Sequence, residues 1–390
     1  MKKKIIFVTK ALWIGGIETA LVNLLNYFDF NRYEVTVLVL HAELNMAPRL
    51  PLSCRLLVID REKQYSFKEK YPYEKLYKLT EKPVNPSKLH QMLFWTVPII
   101  RWCETKLYIR YVYDVMADES FDTAIIYSDV VAEETIKAIR AKKYIMFYHH
   151  GAMRHVYHDK IGYRRCEKIV AVSEHQANNL RRFVPSFANK IIVIHNLTDV
   201  AGIIEKSESP VSETFDSSKF HIVTVGRIAR EKGIDLAVRA CAELVGKGFC
   251  GFQWWIVGGG PEEEAIRDMI KQLNLEGCIC MMGMKDNPYP YMKRANLYVQ
   301  PSRVEGYPMT ILEAMILGKV VVSTNNPGAR EIITNNKTGV LCNDSPKAIA
   351  DTIMKVSEDK KYFTEIENNI QKIDFDKMNR ECMNILEEIL

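Results

Sequence analysis

The segment Pro301-Ser302-Arg303-Val304-Glu305-Gly306-Tyr307-Pro308-Met309-Thr310-Ile311-Leu312-Glu313-Ala314 gathers the strongest chemical signal in this chain of 390 residues. The apolar run Leu297–Val299 before it predicts a strand, and the pattern after Pro308 predicts a helix from about Met309, closed by Gly318. A helix that starts inside the segment aims backbone N–H groups from Gly306 to Thr310 at an anion. Glu305 lies at the helix mouth and Glu313 a little over a turn within, with seven residues between them. Carboxylates so placed accept hydrogen bonds from different hydroxyl groups of one ligand, and a sugar nucleotide carries such diols. Taken singly, each also reads as an ordinary carboxylate, Glu305 near a helix N-terminus and Glu313 on a solvated helix face.

Gly226-Arg227-Ile228-Ala229-Arg230-Glu231-Lys232-Gly233 is a second turn between a strand and a helix. Arg227, as a planar fork, and Lys232, as a compact charge, suit a diphosphate and would make a metal ion dispensable. A surface turn with a salt bridge to Glu231 accounts for the same residues. A third turn, Leu12-Trp13-Ile14-Gly15-Gly16-Ile17-Glu18, has paired glycines that let the backbone approach a phosphate, although a tight turn without a ligand explains it equally. Neither this turn nor Val257-Gly258-Gly259-Gly260-Pro261 matches GxGxxG, and no acidic residue follows at the expected distance, so a nicotinamide-binding domain is disfavoured. GxxxxGK[ST] is absent, which removes the main support for nucleotide triphosphate hydrolysis. Asp374-Phe375-Asp376 has the Asp-x-Asp form of a metal signature, but at the head of a C-terminal helix capping is the ready explanation. No metal site and no cofactor are expected.

The elements that must hold these turns alternate between short β-rich runs and helical patterns, the signature of βαβ units. In the first half, Ile5–Thr9, Glu34–Leu40, Thr123–Tyr127, Tyr144–Tyr148, Lys168–Val172 and Ile191–Ile194 read as strands, with helices at Glu18–Tyr27, Val131–Ala141 and Glu174–Phe183. From about Val200 to Phe220 the pattern lapses into a polar, Ser-rich connector. A second series follows, with strands at His221–Val225, Trp254–Val257, Cys278–Met281, Leu297–Val299, Val320–Thr324 and Val340–Cys342. Helix starts are marked by Pro261 before three glutamates and by Ser345-Pro346. The expected architecture is therefore α/β, two doubly wound parallel-sheet domains facing a cleft, with ligands beyond the carboxyl ends of the strands. The boundaries are 1–198 for the first domain and 199–374 for the second.

Composition is compatible with this size of fold. Forty-seven per cent apolar and 26% charged residues are ordinary globular usage and exclude extensive disorder. Fifty-three Lys plus Arg against 48 Asp plus Glu leave +5, which does not by itself indicate a nucleic-acid binder. Nine scattered cysteines without CxxC spacing read as reduced core thiols of a cytosolic protein. Lys2, Lys3 and Lys4 before Ile5-Ile6-Phe7-Val8 imitate a signal peptide, but the run stops at Lys10, short of the roughly 7–15 apolar residues required.

Taken together, these residues resemble the retaining glycosyltransferases of the large bacterial group 4, which have the two-domain GT-B fold. The resemblance rests on Gly15-Gly16, Gly226-Arg227 with Lys232, the triple-glycine turn before Pro261, Asn287-Pro288-Tyr289-Pro290-Tyr291, Pro301-Ser302, the Glu305/Glu313 pair and Asn326-Pro327-Gly328, in order and spacing. His150-Gly151, Val172-Ser173-Glu174 and Ile194-His195-Asn196 resemble the branch that builds capsular, exopolysaccharide or lipid-linked glycans. The resemblance implies that Arg227 and Lys232 hold the diphosphate, with the Gly15-Gly16 backbone closing on it and Gly226 in the same turn. It implies that Glu313 accepts from the ribose hydroxyls and Glu305 contacts the donor sugar near its reacting face. Backbone amides across Gly306, Tyr307, Pro308, Met309 and Thr310 would bind sugar or phosphate oxygens, and the loop around Met284 and Lys285 would read the base edge. His150 falls where the family places a histidine facing the sugar, with His149 one register away. Asn196-Leu197 departs from the more usual Asn-Pro, which puts the hinge geometry in doubt. The family resemblance favours front-face departure and attack within one ion pair over double displacement. It also implies that helix 375–390 packs back on the first domain.

The expected donor is a UDP-sugar and the expected acceptor a glycan or lipid-linked molecule. Between Phe67 and Tyr113, lysines and arginines are interleaved with Tyr71, Tyr73, Tyr77, Phe94, Trp95, Trp102, Tyr108 and Tyr111. Such a surface suits anionic headgroups, placing a cytoplasmic protein at the inner face of the membrane; a helical insertion with snorkelling lysines is the plainer account. No nucleic-acid module is recognisable. The rival readings are transfer to a small molecule and a catalytically silent partner subunit.

Overall fold

The structure is a computed structural model that describes residues 2–41, 43–59, 110–127, 136–149, 160–213 and 215–390. Two sheets organise it, and every strand pairing in both is parallel. The first holds seven strands in the order β3-β2-β1-β4-β5-β6-β7. They are β1 (Lys3–Thr9), β2 (Tyr33–Val39), β3 (Arg55–Val58), β4 (Phe121–Ile126), β5 (Ala141–Tyr148), β6 (Lys168–Ala171) and β7 (Ile191–Val193). The second holds six in the order β10-β9-β8-β11-β12-β13. Its strands are β8 (Phe220–Val225), β9 (Phe252–Val257), β10 (Ile279–Gly283), β11 (Leu297–Gln300), β12 (Val320–Thr324) and β13 (Val340–Cys342).

Among the described residues, beside helical turns at 110–115 and 136–138, the helices are α1 (Gly16–Asn26), α2 (Lys160–Arg165), α3 (Glu174–Phe183), α4 (Val200–Ser207), α5 (Ile234–Gly246) and α6 (Glu263–Gln272). The series continues with α7 (Tyr289–Arg294), α8 (Met309–Ile316), α9 (Pro327–Ile332), α10 (Pro346–Glu358), α11 (Lys360–Ile370) and α12 (Phe375–Ile389). Ile5, Ile6, Phe7 and Val8 are consecutive and all fully buried, because helices cover both faces of a parallel sheet.

The strand order decides where a ligand fits. In the first sheet β1 lies between β2 and β4, and in the second β8 lies between β9 and β11, so the winding reverses beside β1 and beside β8. Connections leave these strands in opposite directions and open a crevice at their carboxyl ends. The turns carrying Gly15-Gly16, Gly226-Arg227 and Pro301–Thr310 follow β1, β8 and β11 at that edge.

Three elements differ from the sequence reading. The connector after Val200 contains helix α4, because the Asp199 side chain accepts from the Gly202 amide at 3.0 Å and caps it while Ile203 is buried. The helix expected to run to Ala141 ends earlier: residues 136–138 are helical, and Ala141 already pairs with Phe121 as the first residue of β5. β3 is an edge strand whose only described neighbour is β2, and its alternation is too short to read. The thiols also need a correction, since Cys250 is exposed and not in a core, and Cys103 lies outside the described residues.

Helix α12 covers part of the first sheet's core. Cys382, Met383, Leu386 and Leu390 pack in one cluster with Leu21, Leu25 and Val37. Asn379 donates to the Thr198 carbonyl at 2.7 Å and to the Tyr27 hydroxyl at 2.8 Å, and Arg32 pairs with Glu387 at 2.7 Å. Asp374 accepts from the Lys377 amide at 2.8 Å and caps this helix.

Candidate active site

Glycines let the turns after β8 and β9 interlock. Gly258 has φ +151°, and a Cβ there would lie 1.9 Å from the Gly226 carbonyl oxygen. A Cβ on Gly260 would lie 2.4 Å from the Ile228 oxygen. The Ile228 amide donates to Gly259 at 2.9 Å, so the triple-glycine turn is the bed on which the Gly226-Arg227 turn rests.

The turn after β11 is stitched to the same place. Arg303 forms a two-pronged pair with Asp235 at the start of α5, each contact 2.7 Å, and its amide donates to the Glu231 carbonyl at 2.8 Å. Gly233, at φ +65°, passes so near that a Cβ would meet the Pro301 oxygen at 2.1 Å. These ties bring Lys232 onto Glu305, 73 residues away in sequence, with the ammonium 2.8 Å from each carboxylate oxygen. Glu305 is 8% exposed. Arg227 instead forms an exposed ion pair with Glu231.

Glu313 sits on the first turns of α8, buried and not solvated. The Tyr289 hydroxyl donates to it at 3.4 Å. Burial pushes its carboxyl up to about 7, against smaller downward pulls from that hydrogen bond and from Lys206. The first turn of α8 presents N–H groups that lack an intrahelical acceptor. Pro308 is a correction to the expected set: it has no N–H, so it cannot donate to a ligand, and it stands as the residue capping α8.

The first sheet closes on this turn. A Cβ on Gly306 would lie 2.6 Å from Gln176 Nε2 and 3.2 Å from the His149 carbonyl. Tyr307 stacks on His195 with ring centres 4.7 Å apart, and Tyr307, Met309 and Leu312 join the core cluster around Leu21. The side chains of Tyr307 and Met309 are thus packing groups between the two sheets. Gly15 and Gly16 start α1, beside Glu18, whose carboxyl burial raises above its ordinary value. Among the described residues, a Cβ at Gly16 or Gly226 would meet no atom within 4 Å, so packing against them does not require glycine at either position.

Met284 is 65% exposed, whereas Lys285 is drawn away to Glu213 at 2.6 Å. That ammonium, with the Tyr291 hydroxyl, holds the Glu213 carboxyl at about 2. His150 lies outside the described residues, and of the basic aromatic stretch 67–113 only residues 110–113 are described.

Sequence reasoning gave four participants no role of their own. Gln300 bridges Glu305 and Thr310, and Asn326 donates to the Ser302 carbonyl at 3.2 Å. Arg303 is the third. Glu331 is the fourth, accepting from the backbone amides of Glu174 and His175 at 2.7 Å each, so the second sheet's α9 caps the first sheet's α3. Only Asn326 carried a visible signal, as an N-cap before Pro327.

Comparison with known proteins bears on the second half of the chain. Residues 205–373, from within α4 to the residues before α12, match the family described as Glycosyl transferases group 1. Over these residues the chain is similar to the group 1 glycosyl transferases. Arg227, Lys232, Glu305 and Glu313 all lie within the matched residues. The chain is 23% identical over 265 residues to an uncharacterized glycosyltransferase of Methanocaldococcus jannaschii, covering 58% of this chain and 65% of that protein. It is 27% identical over 217 residues to the N-acetylgalactosamine-N,N'-diacetylbacillosaminyl-diphospho-undecaprenol 4-alpha-N-acetylgalactosaminyltransferase of Campylobacter jejuni, covering 53% and 57%. The chain thus spans less than two thirds of either relative's length. Among solved structures, Anabaena HepE in complex with UDP superposes with a TM-score of 0.69 at 17% identity, over 99% of this chain and all of that one. The fold is GT-B.

Among the described residues no group of three His, Cys, Asp or Glu side chains is placed to hold a metal ion, and no helix is long and apolar enough to cross a membrane.

Proposed function

We propose that this protein is a retaining glycosyltransferase that moves a hexose-type unit from a UDP-sugar to a lipid-linked or polysaccharide acceptor in cell-surface glycan biosynthesis. The observation that carries the reading is the convergence of Lys232, Glu305 and the first turn of α8 at the crevice beside β8. The UDP held by HepE and the undecaprenol-linked substrate named for the Campylobacter relative support the donor and acceptor classes.

In this reading Arg227 leaves Glu231, and both it and Lys232 answer the negative charge on the leaving diphosphate. The amides of Gly306 and Tyr307 in the turn before α8, and of Met309 and Thr310 at its start, bind sugar or phosphate oxygens. Glu313 accepts from the ribose hydroxyls, Glu305 orients the sugar, and Gly15-Gly16 closes from the first sheet. The base edge is read by the loop around Met284 and Lys285, mainly by main chain. His150 faces the sugar. Attack from the face of departure requires positioning more than covalent chemistry, so no sugar–enzyme adduct forms. With two cations answering the diphosphate, activity persists in EDTA. Residues 67–113 give peripheral contact with anionic lipid, which liposome flotation tests by its dependence on lipid charge.

Calorimetry with UDP and transfer assays over a panel of UDP-sugars and lipid-linked acceptors test the whole. Glu313→Ala is expected to weaken UDP binding and Glu305→Ala chiefly to slow transfer. Unchanged kinetics in both overturn the assignment, and a product of inverted anomeric configuration overturns retention.

A further inference from the structure

We infer that Gln300 is a positioning residue of the donor site, its side-chain amide holding the Glu305 carboxylate and the Thr310 hydroxyl in one register. The inference rests on the reading of Glu305 as a donor-contacting group. Gln300 is the last residue of β11 and is 2% exposed. Its Nε2 donates to Ser302 Oγ at 2.7 Å and to Glu305 Oε1 at 3.0 Å. Its Oε1 accepts from Thr310 Oγ1 at 3.1 Å and from the Tyr298 hydroxyl. A primary amide has two donor hydrogens and two lone pairs, and here all four are engaged. The amide cannot be turned over, because a carboxylate only accepts and so requires Nε2 on the Glu305 side.

The consequence for Glu305 follows from who else touches it. Oε1 receives both Gln300 and Lys232, whereas Oε2 receives only Lys232 among the contacts of the described residues. Lys232 is a point charge on a flexible stem, and a reorienting ammonium would carry the carboxylate with it. The planar amide fixes the carboxylate without neutralising it, so the anion keeps its direction when Lys232 turns towards a diphosphate. Tyr298, which donates to Gln300, also lies 3.3 Å from the Val225 carbonyl, just before Gly226. Gln300 and Tyr298 together therefore tie the turn after β11, the start of α8 and the end of β8, and a fully satisfied buried network of this kind is stiff.

The test compares the full-length wild type with Gln300→Met and Gln300→Glu in UDP-sugar turnover, each variant first checked for thermal stabilisation by UDP. Gln300→Met is expected to lower kcat about 10- to 100-fold with KM for donor within about 3-fold, the split produced when transition-state positioning and not ground-state binding is lost. Gln300→Glu discriminates more sharply. The titratable groups bonded to position 300 are Glu305, itself paired with Lys232, and the Tyr298 hydroxyl. A protonated carboxyl at 300 again donates to Glu305, whereas an ionised one repels it, so this variant should be most active at the acid end of its range and lose activity as pH rises. A purely structural role would not shift the pH–kcat profile in that way.

Gln300→Met with kcat within about 2-fold of wild type, or Gln300→Glu with an unshifted profile, overturns the inference. Should Gln300→Met fail to fold, the Gln300→Glu profile alone decides. A wild-type protein that neither binds UDP nor transfers sugar overturns the parent reading and this inference with it, whereas an active wild type with indifferent Gln300 variants overturns the inference alone.

Discussion

The Lys232 ammonium lies 2.8 Å from both oxygens of the Glu305 carboxylate, and the pair is largely shielded from water. The two side chains belong to different turns, so each turn's charge is balanced only if the other is in place. A charged group left alone at such a site keeps its desolvation cost and loses its compensation.

Lys232→Met should therefore destabilise the fold by about 1–3 kcal/mol, and Lys232→Met with Glu305→Gln together should recover much of that. Urea unfolding of the two single variants and the double variant measures the coupling. Additive losses would show that the pair contributes nothing as a pair.

Glu313 makes a pH-dependent prediction. Burial lifts its carboxyl from 4.5 to about 7 in the folded chain, so folding binds a proton in that window. Its contribution to stability is fully present below about 4.5 and is lost as pH rises through about 7. Relative to Glu313→Gln, wild-type stability should fall by roughly 1–3 kcal/mol across this range, read by thermal melting at successive pH values. If the ionised form accepts from ribose, the ratio of wild-type to variant UDP affinity should rise over the same interval.

Glycine substitutions separate packing from ligand contact. Gly258→Ala places a methyl group 1.9 Å from the Gly226 oxygen at φ +151°, and should cost about 1–3 kcal/mol along with UDP binding. Gly226→Ala meets no neighbour within 4 Å, so it should melt like wild type. A loss of UDP affinity in that well-folded variant would place the nucleotide on Gly226.

Glu331 reaches from one sheet's helices to the other's, on the two amides at the head of α3. Glu331→Ala should remove about 1–2 kcal/mol of charge-assisted bonding between the halves. Small-angle scattering should then report a larger radius of gyration, with UDP binding retained and turnover reduced. An unchanged radius would assign closure to the Tyr307–His195 stack and the apolar contacts alone.

Much of the fold was readable because parallel strands buried on both faces leave unbroken apolar runs; β12, β13 and α3 have the ends their residues predict. Cap chemistry worked where it is local, as at Ser345 before α10. Partners across the sheet were not readable. Gln300 looks like any strand residue until β11 is set beside β8, and Glu331 like any helix surface glutamate until α3 arrives from the other domain. Glu313 misled for the opposite reason: a charged residue on a short helix reads as solvated, whereas in the fold it is buried with the Tyr289 hydroxyl on it. The ion pair of Lys285 with Glu213, from the segment taken as a bare connector, is another such partnership across the fold.

Helix α12 has a consequence for the order of assembly. Asn379 meets Tyr27 across 352 residues of sequence, and the cluster it flanks contains Leu21 and Leu25 from the first helix. A ribosome exposes those leucines long before it delivers Met383 and Leu386 to cover them. During synthesis the amino-terminal half thus carries an uncovered oily face for most of the elongation time, a window in which a chaperone has something to hold.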